Sequence, residues 1–296
     1  MPSGLLYGLA AAFAGGFTDV AGALSGRRFG SLAVLVATSL TGLVLLSALA
    51  LLTGTPLAMS PRTALEAALC GVIANIAYLA FFTALRMGPI SVVSPTVAAY
   101  GGLTVVLAVL VREETLTPTQ ALGAAIATAG VVMTGLVFDG GVRNARLVGP
   151  GVWFAIVALV SFAIVTVWIA GPIRDAGWLP VAIVSRGSNA LLATVMLAAA
   201  LVFRPPFAAP LLRGGKMRSR RWLLVLPLTG LLDAAGMVAF AIGLEQSLVW
   251  AVGLASSFGP VVAVIVAVGV MGERLRPAQW LGLAGIAAGL VTVGLP

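Results

Sequence analysis

The stretch Arg112–Leu136, REETLTPTQALGAAIATAGVVMTGL, decides how the chain is read, because it returns near the C-terminus as Gly272–Leu295, GERLRPAQWLGLAGIAAGLVTVGL. A shift of 159 positions lays Glu114 on Glu273, Leu116 on Leu275, Pro118 on Pro277 and Gln120 on Gln279. The same shift lays Gly123, Gly130 and Gly135 on Gly282, Gly289 and Gly294. Each copy is a polar link, a proline able to open a helix, and an apolar run with spaced glycines. Solenoid units run about 20 to 50 residues, so a repeat this long points to a duplicated half-molecule.

Composition says what surrounds the chain. Of 296 residues, 60% are hydrophobic and 9% charged, with a mean hydropathy of +1.13. A soluble domain carries about 25% charged residues, so most of this surface must face lipid. A bilayer core of about 30 Å takes about 20 apolar residues per helix. On that rule ten spans fit, near 4–24, 31–52, 64–85, 90–111, 118–138, 148–169, 178–203, 222–244, 248–271 and 277–295. Lipid leaves backbone groups no partner outside their own segment, and period-2 alternation is absent, so the spans are expected to be helices. The N-terminal run has no basic region before it and is read as a retained first span, not a signal peptide.

The net charge of +8 lies in links between spans and forms no compact basic domain, so no nucleic-acid partner is expected. Sixteen of the seventeen basic residues are arginine, the bias of a GC-rich genome, which points to bacteria. With no histidine and Cys70 as the single cysteine, an internal disulfide, a His/Cys zinc site and a histidine-based triad are all excluded. No cofactor or metal is expected, and neither is an enzyme: there is no GxSxG elbow and no GxGD aspartate pair.

Ten spans divide into five and five, with residues 1–141 as the first repeat and 147–296 as the second. Five is odd, so the second half must enter the membrane in the opposite sense to the first. The fold expected is therefore an all-α polytopic membrane protein with ten transmembrane helices in two inverted five-helix repeats, an arrangement tied to transporters with a site near the midplane. Counted along the chain, the odd-numbered links hold thirteen basic residues and the even ones only Arg62, Arg112 and Arg174. The positive-inside rule then puts the odd links in the cytoplasm and both termini outside a cell (inner) membrane.

Two longer elements carry a family resemblance. ALRMGPISVVSPTVAAYGGLTVVLAVLVREETLTPTQALGAAIATAG (residues 84–130) resembles the latter part of an EamA domain of the drug/metabolite transporter superfamily, and AIGLEQSLVWAVGLASSFGPVVAVIVAVGVMGERLRPAQWLGLAGIAAG (241–289) resembles its second copy. The resemblance implies ten helices, two inverted halves and export or exchange of small metabolites. Members often carry an arginine in the second helix of a half. Arg186 matches that pattern in the second half, whereas Ala37-Thr38-Ser39 stands in the first.

Ionisable residues inside spans are expensive, and function is their usual reason for being there. Asp19 shares a helical side with Gly15, Gly16 and Gly22, and Asp233 shares one with Gly236, Met237 and Phe240. Both are candidates for carrying a proton or a substrate amine. Arg186, the one basic residue deep in a span, is a candidate for holding a substrate carboxylate, with Asn189 one turn away. Asn75 and Tyr78 share a face of the third span, and the 159 shift lays that face on the one bearing Asp233 and Met237. Tyr100 and Trp168 could add aromatic walls, although Trp168 suits an interfacial anchor equally well. A bland alternative pairs Arg186 with Asp233 or Asp19 for packing alone.

Ser256 and Ser257, just before Pro260, mark a place where a helix could loosen. Glu114 and Glu273 are expected to cap the helices opened by Pro118 and Pro277 or to pair with arginine. The glycines at 123, 130, 285 and 289 suit close helix packing, inside a monomer or between the copies of a homodimer. The basic cluster 213–221 reads as a cytoplasmic retention charge against anionic lipid.

The function expected is secondary transport of small amphipathic metabolites by alternating access. Amino acids, including aromatic and hydrophobic ones, are favoured because an arginine, two aspartates and several aromatics suit a zwitterion with an apolar side chain. The alternatives are a transporter of nucleotide sugars or lipid-linked sugars and, from another class, a non-transporting membrane scaffold or receptor.

Overall fold

Helix ends here obey local chemistry. Ser60 caps the helix that Pro61 opens, its Oγ accepting from the Thr63 N–H at 3.1 Å. Ahead of Pro118, the Thr117 N–H donates to Gln120 Oε1 at 3.0 Å and the Gln120 N–H donates to Thr117 Oγ1 at 3.3 Å. That reciprocal pair is a capping box, and it gives the proline–glutamine signature of the first copy a physical meaning; the second copy has Arg276 where this one has Thr117. Glu114 therefore does not cap this helix; it serves another one, described below.

The computed structural model describes residues 2–88, 90–135, 137–138, 145–146, 151–203, 209–212, 224–271 and 277–294. The first half holds α1 (Pro2–Phe29), α2 (Ser31–Thr53), α3 (Pro61–Met87), α4 (Ile90–Ala98), α5 (Tyr100–Arg112) and α6 (Pro118–Gly135). A two-residue antiparallel ladder, β1 (Val137–Phe138) with β2 (Ala145–Arg146), sits between the halves. The second half holds α7 (Gly151–Ala176), α8 (Trp178–Phe203), the single turn α9 (Ala209–Leu212), α10 (Val225–Gln246), α11 (Val249–Ser256), α12 (Gly259–Met271) and α13 (Pro277–Gly294). Among the described residues, seven helical stretches are long and apolar enough to cross a membrane, one of them (Val93–Arg112) running through the junction of α4 and α5, and three shorter apolar stretches accompany them. The Glu273 capping expectation, the whole basic cluster 213–221, and most of the seam between the halves lie outside the described residues.

Two of the expected spans are not single helices. The fourth divides at Ala99 into α4 and α5, and the ninth divides at Ser257–Phe258 into α11 and α12. The 159 shift carries Ala99 onto Phe258, so the break itself is repeated. At both places the backbone stays right-handed with ψ near zero: Ala99 at φ −58°, ψ −9° and Ser257 at φ −72°, ψ −3°. Near the second break the Ser257 N–H is shared between Gly253 O and Leu254 O, each at 3.2 Å, and hydroxyls reinforce both carbonyls, Ser256 Oγ donating to Gly253 O at 3.0 Å and Ser257 Oγ to Leu254 O at 2.7 Å.

Packing repeats along with sequence. α1 lies on α10 as α7 lies on α3, and α5 lies on α11 as α12 lies on α4. The corresponding helices α2 and α8 meet each other, as do α6 and α13. Ser39 meets Asn189 while Gly42 meets Arg186, so α2 and α8 run antiparallel. α6 and α13 do likewise, with Gly123 against Val293 and Gly130 against Ile286. A Cβ on Gly130 would stand 2.6 Å from Ile286 N, so glycine is what permits this approach. The small-residue faces singled out in the sequence therefore pack on each other within one chain.

Buried apolar clusters flank the space between the halves. Leu32, Leu35, Phe82, Leu85 and Ile90 are fully buried in one, and Ile173, Val181, Leu244, Val249 and Trp250 in the other. Leucines, valines and tryptophans such as Leu51, Leu110, Trp153 and Trp280 cover the outside. That inversion of the soluble pattern is what lipid demands.

Candidate functional site

A cavity of about 220 Å³ lies between the two halves, lined by α1, α3, α4 and α5 from the first and α7, α8, α10, α11 and α12 from the second. One water needs only about 10 to 15 Å³ of such space, so the cavity has room for a small molecule.

One pole is basic. Arg186 projects from α8 opposite Gly42 of α2, where an added Cβ would stand 3.2 Å from Nε. Its Nη2 lies 2.8 Å from Asp233 Oδ2 and donates to Met237 Sδ at 2.8 Å. Arg186 is 2% exposed and Asp233 7%. The ion pair is close without being an aligned hydrogen bond: Asp233 Oδ2 accepts none, and Arg186 Nε and Nη1 are buried with no partner. Unpaired buried donors cost free energy and call for an explanation. The guanidinium also lies 5.5 Å from the ring centre of Tyr78, a cation–π contact that keeps the charge beside an apolar wall.

Beside Arg186 stands an amide network. Ser39 Oγ donates to Asn189 Oδ1 at 2.9 Å, and Asn75 Nδ2 donates to Asn189 O at 3.0 Å. Asn189 lines the cavity; Asn75, 1% exposed, stands behind it.

A second polar cluster forms where α1 meets the helix breaks. Ser94, just before Pro95 in α4, donates to Asp19 Oδ2, and Asp19 is 8% exposed. Tyr100 Oη and Ser256 Oγ lie 2.7 Å apart, joining the two broken helices at their breaks. Gly16 brings α1 close to α12, since a Cβ there would stand 2.5 Å from Gly259 O. Gly15 faces open space in the cavity.

Aromatic rings connect the two clusters. Phe162 of α7 is 5.2 Å from Tyr78, 5.9 Å from Tyr100 and 6.0 Å from Phe81, centre to centre. Tyr78 belongs to the arginine pole and Tyr100 to the break. The cavity thus carries a guanidinium at one side, a carboxyl at another and a wall of rings between them.

Of the residues singled out in the sequence, Arg186, Asn189, Tyr78, Tyr100, Asp19 and Asp233 line the cavity, and Asn75 supports it from behind. Trp168 is elsewhere. It is 52% exposed on the outside of α7, and its carbonyl accepts from Arg112 at 3.2 Å. Sequence reading missed Ser39, Ser94, Phe81 and Phe162. Ser94 had a signal, its place beside an in-span proline, whereas Phe162 is one of twelve phenylalanines with nothing to distinguish it.

Glu114 pairs with an arginine, as expected, but caps a different helix. Its Oε1 accepts from the Val249 N–H and its Oε2 from the Trp250 N–H, both at 3.0 Å. Arg174 Nη2 lies 3.4 Å from the same carboxylate. A link of the first half therefore caps α11 of the second. The expected arginine pairing is present; the capped helix is α11, not α6.

A family described as the EamA-like transporter family matches residues 2–136 and again 149–295. A solved structure described only as the crystal structure of a protein superposes with a TM-score of 0.76 at 18% identity, covering 99% of this chain and 97% of that one. At that identity the likeness speaks to fold alone. A search among curated proteins found no match.

Proposed function

The chain belongs to the EamA-like transporter family, and on that premise we propose that it is a secondary transporter of small amphipathic metabolites, amino acids with apolar or aromatic side chains above all. It works by alternating access across the cell membrane, as ten spans in two inverted halves with both termini outside. Export or exchange is the direction this reading favours.

The observation that carries the proposal is Arg186, a buried guanidinium on the cavity wall beside Tyr78 and Asp233. A guanidinium in that place suits a substrate carboxylate, and charge-assisted bonds of this kind are the strong ones. The rings of Tyr78, Phe81, Phe162 and Tyr100 give an apolar side chain its place. Asp19 offers the carboxyl for a substrate amine or a proton. Asp233 is committed to Arg186, which leaves Asp19 as the coupling group.

The antiparallel pairing of α2 with α8 and of α6 with α13 supports inversion, because corresponding helices of two parallel repeats would run the same way. The full-length protein in liposomes carrying L-phenylalanine tests the reading. Arg186→Ala should reduce flux to the protein-free background, and so should Arg186→Ala with Asp233→Asn, which removes the stranded carboxylate. Normal flux in a correctly inserted double variant would overturn the assignment.

A further inference from the structure

We infer that Asn75 and Ser39 are positioning residues that hold Asn189 as an N–H donor beside Arg186, so that the site accepts a carboxylate and rejects the corresponding carboxamide. The inference rests on the reading of Arg186 as the carboxylate holder and adds a specificity rule to it.

The chain of reasoning starts at a backbone carbonyl. Asn75 directs an amide group at Asn189 O, 3.0 Å away. A carbonyl oxygen only accepts, so the group facing α8 must be the Asn75 nitrogen. That same Nδ2 is 3.3 Å from the Asn189 side chain, which must therefore present its oxygen in return. Ser39 Oγ supplies a second donor to this oxygen at 2.9 Å. Two donors on one oxygen fix which way the Asn189 amide faces.

Neither Asn75 nor Ser39 lines the cavity, whereas Asn189 does. With its oxygen turned to the pair behind it, Asn189 has Nδ2 left for the cavity. Arg186 stands one turn earlier on α8, its guanidinium on the cavity wall with Asp233 held against Nη2. Arg186 and Asn189 together bring donors to one side of the cavity, and the carboxylate beside them, Asp233, is already taken up in the ion pair. A carboxylate brings acceptors alone and fits it. A carboxamide brings an NH₂ group that would face donors, and it lacks the charge that strengthens the remaining bond.

Two halves of the molecule are needed for this pole. Ser39 and Asn75 come from α2 and α3, and the donors they orient sit on α8. Loss of either positioning residue lets the amide turn, and the effect should fall on the acid and not on the amide.

The experiment is thermal unfolding of the purified full-length protein titrated with L-phenylalanine and with L-phenylalaninamide. Wild type should bind the acid more tightly. Ser39→Ala and Asn75→Leu should each weaken the acid by about tenfold, the scale of one hydrogen bond to a charged group. Binding of the amide should change by less than about twofold, and Ser39→Thr, which keeps the hydroxyl, should keep the preference. The unliganded unfolding temperature reports whether each variant is folded, and Ser39→Ala, the smaller change, carries the test should Asn75→Leu not fold. If wild type prefers the acid and Ser39→Ala keeps that preference or weakens both ligands alike, the positioning role is wrong while the carboxylate reading stands. Equal binding of acid and amide by wild type, or binding of neither, overturns both.

Discussion

Arg186 and Asp233 meet at 2.8 Å with almost no exposure, and the value of that contact depends on what is removed. Taking away one member of a buried pair strands a charge and costs about 3 to 5 kcal/mol, whereas replacing both with apolar residues is often neutral or stabilising. Asp233→Asn should therefore lower the unfolding temperature sharply, and Arg186→Met with Asp233→Leu should recover most of it. The double variant should still fail to bind L-phenylalanine, and binding by that variant would show that the pair serves packing alone. The charged members of this site were legible because charges stand out in an apolar chain. Their supporters were not. Ser39 draws no notice among the small residues of α2, and it matters only because Asn189 lies across from it. Trp168 shows the converse: a large aromatic at about the right depth faces outward, because one residue's rotation about a helix decides between cavity and lipid.

At the scale of elements, glycine spacing was legible and helix continuity was not. The paired faces of α6 and α13 follow from glycines at 123, 130 and 289, and their partners are backbone atoms that cannot give way. Gly130→Leu should destabilise the protein by about 1 to 3 kcal/mol or more, measured as loss of detergent thermal stability. Gly269 in α12 has nothing within 4 Å of an added Cβ, so Gly269→Ala should be neutral or slightly stabilising. A loss of equal size at both sites would show that the close approach at Gly130 does not set the cost. The breaks at Ala99 and Ser257 sit inside runs apolar enough to read as single spans, and hydropathy carries no mark of them. Ser256 and Ser257 before Pro260 marked the second break, whereas nothing marked its counterpart at Ala99, because Pro95 and Pro260 do not align under the repeat while the breaks do. The helix that Glu114 caps was invisible for a related reason. The Glu114 acceptors reach α11, which begins 135 positions later, and no local pattern joins them.

For the whole molecule, the repeat decides what kind of motion is available. Two halves that bury the same interfaces in mirrored pairs can exchange roles with little change in total burial, which is the energetic condition for alternating access. Two buried apolar clusters flank the cavity, one around Phe82 and Leu85 and one around Leu244 and Trp250, and under the proposed mechanism each would part in turn. The single cysteine makes this testable, because Cys70→Ala gives a cysteine-free chain. Gly15→Cys in that background places a thiol on the cavity wall, where nothing crowds it. A membrane-impermeant thiol reagent should label it from both sides of sealed vesicles, one side more slowly, with L-phenylalanine changing the ratio. Thr55→Cys, in the exposed link after α2, should react only from the outside if the arginine distribution sets orientation. Leu51→Cys, 84% exposed to the surroundings of α2, should resist labelling from either side because a thiolate does not form in lipid. Labelling of Gly15→Cys from one side only, unchanged by ligand, would mean a fixed vestibule, and the mirrored packing would then be a relic of duplication with no part in transport.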